Sequence, residues 1–300
     1  MTKQFDKNMT AVIFGEAMIE LSGITTTQAT IGVAGDTFNT AVYLSRQGVN
    51  VQYATALGCD QFSTRIREAL KNENIKTDLV LDVPDRTPGL YAINVDDEGE
   101  RTFDYWRSNS AARKFFDALG AEIALSIMSS AKMLYLSGIT LSVLRDRLDD
   151  MISLAAEVRK NGGEVIFDTN YRANGWSSKE EAVEAISRFA PYVSMALPTL
   201  EDDCALFDLR DEMDCVEKWQ GFGAAEIVVK AGAKGAYIPG IGWVQPPHVI
   251  KPKDTTGAGD SFNGGYLGAR IMGKTPDAAA LDAHKLAVKV LMTPGAILPK

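Results

Sequence analysis

The stretch "KMLYLSGITLSVLRDRLDDMISLAAEVRKNGGEVIFDTN" (132–170) decides the fold class, because it contains one complete strand–helix–strand unit. "KMLYLSGI" (132–139) and "EVIFDTN" (164–170) are nearly continuous apolar runs, which is the pattern of strands buried on both faces. Between them, "RDRLDDMISLAAEVRKNGG" (145–163) has helical periodicity and ends in two glycines. The unit therefore predicts two parallel strands joined by a crossover helix.

The same alternation continues on both sides of this unit. Apolar runs predict further strands at 11–16, 51–58 and 225–232, and helical periodicity predicts helices at 36–48, 63–74, 178–190, 260–273 and 276–292. Repeated units of this kind favour a mainly parallel sheet covered by helices on both faces. The sequence therefore predicts an α/β fold with a three-layer α/β/α core.

Two stretches interrupt this pattern, because neither has a helix between its strands. They are "EAMIELSGITTTQATIGV" (16–33) and "GLYAINVDDEGERTFDYWR" (89–107). In the second, alternating residues on both sides of "DDEGE" (96–100) predict a hairpin that turns at that segment. We expect the two stretches to form a small β-sheet lid inserted into the core. The chain has no internal repeat and no low-complexity linker, so residues 1–300 are expected to form one domain.

Composition limits the possible classes of function. Hydrophobic residues make up 46% of the chain, and the formal net charge of −8 argues against nucleic acid as a partner. Three widely spread cysteines favour reduced thiols over a disulfide framework, and two distant histidines argue against a zinc hydrolase. No apolar run suits a signal peptide or a membrane span. We therefore expect a cytoplasmic protein that does not bind membranes.

The candidate catalytic stretch is "DTTGAGDSFNGGY" (254–266). Gly257, Ala258 and Gly259 precede Asp260 at the predicted start of a helix, where free backbone N–H groups attract anions. Asp260 could accept a proton from an attacking hydroxyl while these N–H groups stabilise a phosphoryl group in transfer. Because a helix N-terminus lowers the pKa of a carboxyl group, we expect Asp260 to be ionised. The alternative is an ordinary first-turn aspartate after a glycine turn.

This stretch is neither of the standard nucleotide loops. The sequence has no G-x-x-x-x-G-K-[ST] motif, and the glycines after 257 do not have the spacing of G-x-G-x-x-G. Instead, it resembles the C-terminal signature of the ribokinase-like carbohydrate kinases, the pfkB family. "GVAGDTFNTAVYLSRQG" (32–48) resembles the family's N-terminal signature, and the resemblance covers nearly the whole chain.

The resemblance implies a ribokinase-like fold and an ATP-dependent transfer of phosphate to a sugar hydroxyl, with Mg²⁺ as cofactor. Asp260 would be the general base, and the anion hole would be formed by Gly257, Ala258 and Gly259. Within the family, the pattern is most similar to that of the 2-keto-3-deoxygluconate kinases. The segments that carry this similarity are "AGDTFN" (34–39), "LYAINVD" (90–96), "FDYWRSNSAA" (103–112), "FDTNYRANGW" (167–176) and "VVKAGAKGAY" (228–237).

The similarity implies two sets of binding residues. The substrate would be contacted by Gly35, Asp36, Asn39, Tyr91, Tyr105, Arg107, Arg172 and Asp260. The nucleotide would be contacted by Asn170, Arg172, Lys230, Gly232, Gly235, Gly257 and Gly259.

The chemistry of several of these residues fits independently. Tyr91, Tyr105 and Arg107 have odd numbers, so a hairpin can direct all three side chains at one ligand. Arg107 and Arg172 are rigid donor forks that suit a carboxylate or a phosphate, which a sugar acid has and a neutral sugar lacks. The alternatives are lid packing for the tyrosines, a solvated side chain for Arg107 and Lys230, and a salt bridge at a strand end for Arg172.

One segment departs from the family pattern. Many members have an Asn-x-x-Glu motif tied to magnesium and phosphate, but "LPTLEDD" (197–203) has Pro198 at the Asn position and retains Glu201. Glu201 could act on magnesium through water, because magnesium usually keeps several waters. The alternative is an ordinary first-turn glutamate of the next helix.

The expected reaction converts ATP and 2-dehydro-3-deoxy-D-gluconate into the 6-phosphate and ADP. The alternatives are a fructokinase, a ribokinase or another sugar-acid kinase, and a non-catalytic regulator that binds a sugar or a nucleotide. Because a small lid sheet has open edges, we also expect a homodimer that forms through the lids. No motif distinguishes the gluconate substrate from its galactonate epimer.

Overall fold

The computed structural model describes residues 5–95 and 101–300. The strands, in chain order, are β1 (Thr10–Phe14), β2 (Met18–Ser22), β3 (Thr30–Ala34), β4 (Asn50–Leu57), β5 (Lys76–Asp82), β6 (Gly89–Val95), β7 (Arg101–Trp106), β8 (Met133–Ser137), β9 (Glu164–Asp168), β10 (Met195–Ala196), β11 (Glu226–Ile227), β12 (Val229–Lys230), β13 (Ala236–Ile238) and β14 (Gly242–Val244). The helices are α1 (Asp36–Arg46), α2 (Gln61–Asn72), α3 (Ala121–Ser129), α4 (Gly138–Val143), α5 (Leu148–Lys160), α6 (Lys179–Phe189), α7 (Leu200–Phe207), α8 (Glu212–Phe222), α9 (Ala258–Ile271) and α10 (Pro276–Leu291).

The main sheet has seven strands in the order β11-β10-β9-β8-β1-β4-β5, and each pair of neighbours in it is parallel. Strand β1, in the interior of this sheet, shows burial on both faces. Val12 and Phe14 pack into an apolar cluster with α3, α5, α6 and α8, whereas Ala11 and Ile13 pack into another with α1, α2, α9 and α10. The predicted three-layer α/β/α core is therefore confirmed.

A four-stranded sheet in the order β3-β2-β6-β7 lies apart from the main sheet, and we call it the lid sheet. Strands β6 and β7 are antiparallel, with Tyr91 opposite Tyr105. The predicted small sheet and its antiparallel strand pair are therefore confirmed, whereas the predicted turn at 96–100 lies outside the described residues.

The segment 225–232 was predicted to form one strand, but in the structure it forms two. It divides into β11, which joins the main sheet, and β12, which joins a three-stranded sheet with β13 and β14. The N–H groups of Val228 and Lys230 donate to the carbonyls of Ala196 (2.9 Å) and Pro198 (2.8 Å). One edge of the segment therefore continues along β10, while the other turns to pair with β13.

The order of the main sheet determines where its polar side chains meet. Strand β1 lies between β8 and β4. The chain adds β4 and β5 on one side of β1, and then β8, β9, β10 and β11 on the other side. In such a sheet a crevice opens at the carboxyl ends of the strands, where ligands bind.

In the described parts of the chain, no helix is both long and apolar enough to cross a bilayer.

Candidate active site

Asp260 lies in the first turn of α9, close to the middle of the crevice. The side-chain amide of Asn39, on α1, donates to Asp260 Oδ2 at 2.8 Å. The helix begins properly at its cap, since the Ser261 N–H donates to the Gly257 carbonyl at 2.8 Å. The N–H groups of Gly259 and Asp260 donate to no acceptor within residues 5–95 and 101–300. They are therefore available to an anion beside the carboxylate.

Two of the predicted site glycines are required by the backbone. Gly257 has a φ of 73°, and an added Cβ would lie 2.8 Å from the Cβ of Ala296. Gly35 has a φ of 142°, and its Cβ would lie 2.5 Å from the carbonyl oxygen of Glu16. Both values exclude larger side chains at positions that start a helix. Glycine therefore sets the start of both α1 and α9 at the crevice.

Asp36 is the second acid of the crevice and is held by two donors. The Ser137 hydroxyl donates to Asp36 Oδ2, and the Asn170 side-chain amide donates to the same oxygen at 3.0 Å. Asn170 has a φ of 34°, an unusual value for a residue with a side chain. Burial raises the pKa of Asp36 despite these hydrogen bonds. The crevice therefore holds two carboxyl groups, Asp36 and Asp260, and the negative charge of one makes ionisation of the other less favourable.

The expected low pKa of Asp260 is wrong. Burial raises its pKa to about 8, the negative charges of Asp36 and Asp168 add to the effect, and the hydrogen bond from Asn39 and the charge of Lys230 only partly offset it. The favourable field of one helix N-terminus is smaller than the combined effect of desolvation and two neighbouring acids. In the ligand-free protein, burial and the two neighbouring acids therefore favour the protonated form of Asp260.

This pKa predicts a pH dependence. A general base must be ionised, so kcat/KM is expected to rise with pH toward a midpoint near 8, by about tenfold per pH unit well below it. Steady-state rates between pH 5.5 and 9.5 measure the midpoint, because kcat/KM reports the free enzyme. Asp36→Asn removes one neighbouring charge and should lower the midpoint. A profile that is flat between pH 6 and 9 would contradict the prediction.

Lys230 lies in a buried network beneath the first turn of α9. Its Nζ donates to Asp168 Oδ2 at 2.9 Å and to Asn263 Oδ1 at 3.1 Å. Asn263 Nδ2 in turn donates to Asp168 Oδ2 (2.6 Å) and to the Tyr135 hydroxyl (3.1 Å). The interpretation of Lys230 as a solvated loop lysine is wrong, since only 7% of the residue is exposed.

The loop after Lys230 follows the predicted glycine pattern for structural reasons as well. Gly232 begins a short 3₁₀ turn with a φ of 52°. Gly235 has a φ of 107°, and an added Cβ would lie 2.3 Å from the Val244 carbonyl oxygen. Both glycines therefore let the chain turn from β12 to β13 close to β14. Their predicted contact with a nucleotide stays a prediction.

Arg107 follows the last strand of the lid sheet and is paired with a carboxylate that the sequence did not indicate. Its Nε donates to Glu16 Oε2 at 2.8 Å, and Nη2 also contacts this oxygen. Glu16 Oε1 is buried and has no hydrogen-bond partner within the described residues. Burial lowers the pKa of Arg107, but the charges of Glu16 and Asp36 raise it above its ordinary value. Arg107 is therefore a fixed cation next to Asp36, not a freely solvated one.

Arg172 follows β9 and forms the salt bridge that we considered as its alternative role. Its Nη1 donates to both oxygens of Asp202, at 3.0 and 2.9 Å, while 56% of its side chain is exposed. Burial lowers the pKa of Arg172, but the charges of Asp202, Asp168 and Asp260 raise it overall. More than half of the Arg172 side chain therefore stays exposed beside the salt bridge.

The lid sheet places its tyrosines near both arginines. The rings of Tyr91 and Tyr105 are 5.7 Å apart, and the guanidinium of Arg107 lies 5.9 Å from the ring of Tyr105. Burial raises the pKa of Tyr105 above its ordinary value, and the positive charges of Arg107 and Arg172 offset only part of this increase. Tyr91 is buried and Tyr105 is half exposed. Both tyrosines therefore pack within the lid sheet, and their predicted contact with a substrate stays a prediction.

The residues present fit a water-mediated magnesium contact better than a direct one. Glu201 is exposed in the first turn of α7, after the carboxyl end of β10. No group of three or more metal-binding side chains occurs among the residues that the structure describes. A magnesium ion could still be held here, because it is usually bound through phosphate oxygens, water and one or two carboxylates.

Sequence reasoning missed the polar residues that support the predicted site. They are Glu16, Glu20, Ser137, Asp168, Asp202 and Asn263. Glu16, Ser137 and Asp168 share one usable signal, because each is a polar residue at or just after the carboxyl end of a buried strand. Asp202 and Asn263 lie on helices, and nothing local marks them.

Comparison with known sequences gives matches over nearly the whole chain. The pattern described as "pfkB family carbohydrate kinase" matches residues 8–300. The 2-dehydro-3-deoxygluconokinase of Escherichia coli (strain K12) is 40% identical over 299 residues, which cover 96% of each chain.

Comparison with solved structures supports the fold. The crystal structure of a PfkB protein from Polaromonas sp. JS666 has a TM-score of 0.84 and 25% identity, and the match covers 96% of this chain and 98% of that one. The aminoimidazole riboside kinase of Salmonella enterica, solved with aminoimidazole riboside and an ATP analog, has a TM-score of 0.80 and 21% identity, with 96% and 95% covered.

Proposed function

Since this chain belongs to the pfkB family of carbohydrate kinases, we propose that it phosphorylates the 6-hydroxyl of 2-dehydro-3-deoxy-D-gluconate with ATP. The observation that carries this proposal is one crevice that holds both a candidate base and two arginines. Asp260 lies next to helix N–H groups that are free among the described residues. Arg107 lies 5.9 Å from the ring of Tyr105, and Arg172 lies two residues beyond Asn170, which donates to Asp36. A base and an acid-binding end suit a sugar acid better than a neutral sugar.

The proposed transfer moves one proton and one phosphoryl group. The 6-hydroxyl oxygen attacks the γ-phosphorus of ATP in line, and the bond from that phosphorus to the bridging oxygen of ADP breaks. Asp260 accepts the hydroxyl proton as the new P–O bond forms. The N–H groups of Gly259 and Asp260 stabilise the charge on the equatorial phosphoryl oxygens. Asn39 keeps the receiving carboxylate oriented through its 2.8 Å hydrogen bond.

Magnesium would neutralise phosphate charge when bound, with Glu201 as a water-mediated contact. The chain itself supplies the rest of the electrostatics. Arg107 uses Nε and Nη2 for Glu16 and keeps Nη1. Arg172 uses Nη1 for Asp202 and keeps Nε and Nη2. We propose that these donors hold the acid end of the sugar.

The test of this function is a screen for ADP release with sugars and sugar acids. We expect 2-dehydro-3-deoxy-D-gluconate to have the highest kcat/KM, above fructose, ribose and D-gluconate. The competing fructokinase or ribokinase function predicts the highest value for a neutral sugar. A purified, folded protein that releases ADP with none of the sugar acids would contradict the proposal.

Arg107→Ala is expected to raise KM for the sugar acid by about 10- to 100-fold, because a hydrogen bond between two charged groups is lost. KM for a neutral sugar should change much less. Arg107→Lys keeps the charge beside Glu16 but removes the fork, so it separates ligand binding from the support of Glu16. Arg159→Ala is the matched control. Arg159 lies in the last turn of α5 and pairs with Glu164 at the amino end of β9, whereas the crevice lies at the carboxyl ends of the strands. Equal losses for acid and neutral sugars would count against the assignment.

We also propose a homodimer that forms through the lid sheets. Large apolar side chains are exposed on the lid, with Phe103 at 40% and Trp106 at 60%. On the face opposite Tyr91 and Tyr105, where the lid sheet meets α2, a largely apolar cavity of about 470 Å³ is lined by Trp106, Leu90, Ile19, Leu21, Pro88 and Phe62. Edge strands and exposed apolar patches of this kind favour association with another chain.

The expected mass in solution at micromolar concentration is twice 32.5 kDa. Trp106→Glu should give a monomer, because it places a charge in the proposed interface. Leu119→Glu is the matched control, since Leu119 is 95% exposed just before α3 and lies outside the lid. Wild-type protein with the mass of one chain would contradict the dimer.

A further inference from the structure

Glu20 is a buried carboxylate of the lid sheet that the proposed mechanism does not use. It lies on β2 and is 8% exposed. Within residues 5–95 and 101–300, no lysine or arginine lies within ion-pair distance of it, and its hydrogen-bond donor is the hydroxyl of Tyr91. A buried carboxylate without a cation is a strong acceptor, because its charge has lost the solvation of water. The hydroxyl hydrogen of Tyr91 is therefore directed at Glu20 Oε2.

The pair belongs to a row of residues that crosses all four strands of the lid sheet. Gly32, Glu20, Tyr91 and Tyr105 occupy matching positions on β3, β2, β6 and β7. A Cβ added at Gly32 would lie 3.5 Å from Glu20 Oε1. Glycine therefore leaves room beside this carboxylate oxygen. Arg107 lies two residues beyond Tyr105, so the same face of the hairpin carries both tyrosines and the arginine. Glu20 therefore lies on the same face of the lid sheet as Tyr91, Tyr105 and Arg107.

The hydrogen bond fixes what Tyr91 can offer to a ligand. A phenol has one hydrogen and also accepts through its oxygen. With the hydrogen committed to Glu20, the oxygen remains only an acceptor. The carboxylate of a sugar acid also only accepts, so Tyr91 cannot bind that end. A sugar hydroxyl can donate to it, whereas the Tyr105 hydroxyl makes no hydrogen bond within the described residues and stays free to donate.

We propose that Glu20 is a specificity-determining residue that acts through Tyr91 and makes it read a sugar hydroxyl. The inference rests on the proposed function, since it places Tyr91 against the sugar. The acid end lies at the arginines and the 6-hydroxyl lies at Asp260, so the hydroxyl read by Tyr91 is one of those between them, at C4 or C5. Sites built to pair with a substrate hydroxyl reject analogues that cannot supply it.

The test compares 2-dehydro-3-deoxy-D-gluconate with its C4 epimer and its C5 epimer. Wild-type kcat/KM is measured for all three, then for Glu20→Gln, for Tyr91→Phe and for the double variant. The carboxamide of Glu20→Gln can donate to Tyr91 and release the phenol hydrogen, with almost no change of shape. We expect both single variants to reduce the preference over one of the epimers by about tenfold. The double variant should show no further reduction.

Tyr105→Phe is the matched control, because it removes the neighbouring hydroxyl that Glu20 does not hold. It should lower kcat/KM for the sugar acid and its epimers alike. A variant that merely loosened the lid would behave in the same way, so the epimer ratio separates specificity from structure. Thermal unfolding of each variant confirms that it is folded.

Three outcomes would overturn the inference. The first is a wild-type enzyme that does not discriminate either epimer. The second is a Glu20→Gln variant with wild-type ratios, and the third is a Glu20→Gln effect that persists undiminished in the Tyr91→Phe background. Failure of the proposed function looks different, because the wild type would then use no sugar acid. The same ratios are in that case measured with D-fructose, D-tagatose and L-sorbose, which are related as C4 and C5 epimers, and the same outcomes decide.

Discussion

Asp260→Asn is expected to lower kcat by about 10²- to 10⁴-fold, because the carboxamide cannot accept the proton of the attacking hydroxyl. The change is nearly isosteric, and the 2.8 Å hydrogen bond to Asn39 can be kept with one amide reoriented. Substrate binding should change far less than turnover. Single-turnover rates and sugar-acid affinity, measured on the same preparation, separate the two quantities.

The control for this variant is Asp277→Asn. Asp277 is an exposed aspartate in the first turn of α10, so the substitution removes the same charge from an equivalent position on the neighbouring helix. Its kcat should equal that of the wild type. Comparable turnover in Asp260→Asn and wild type would leave Asp260 as the ordinary first-turn aspartate that we considered first.

Lys230→Met is expected to lower the free energy of unfolding by about 3–5 kcal/mol, because it leaves the buried carboxylate of Asp168 without its cation. Lys230 and Asp168 are 7% and 2% exposed, so water cannot replace the lost partner. Chemical denaturation of the ligand-free protein measures the change. The double variant Lys230→Met/Asp168→Asn should recover much of the loss, since it removes the uncompensated charge as well.

Lys234→Met is the matched control for the buried pair. Lys234 lies four residues further on and pairs with Glu212 at 3.2 Å, but 55% of its side chain is exposed. Solvent screens such pairs, so the loss should stay below about 1 kcal/mol. If Lys230→Met were no more destabilising than this control, the buried network would not support α9 in the way that its hydrogen bonds indicate.

The main elements of the fold could be predicted because their signals are local. Helical periodicity over 145–163 and apolar runs at 132–139 and 164–170 involve residues that are close in sequence. The same holds for the hairpin, whose alternating residues place Tyr91 opposite Tyr105. The division of 225–232 into two strands escaped prediction, because it depends on β10 and β13 and not on the segment itself.

The candidate site was predictable in identity but not in electrostatics. Asp260 was indicated by its glycine-rich surroundings, but its pKa depends on Asp36 and Asp168, which arrive from other elements. Arg107 and Arg172 were indicated by residue type, whereas their partners Glu16 and Asp202 lie 91 and 30 residues away in sequence. No local pattern records such a distance.

The sequence by itself therefore determined the α/β class, the lid and the position of the candidate base, since each follows from residues that are neighbours along the chain. Only the tertiary structure decided that burial and neighbouring acids raise the pKa of Asp260, that Lys230 is buried and that the Tyr91 hydroxyl donates to Glu20. The physical reason is that charge, burial and hydrogen-bond direction depend on what surrounds a side chain in space. In this protein those surroundings are assembled from segments as far apart as Asn39 and Asp260, which are 221 residues apart.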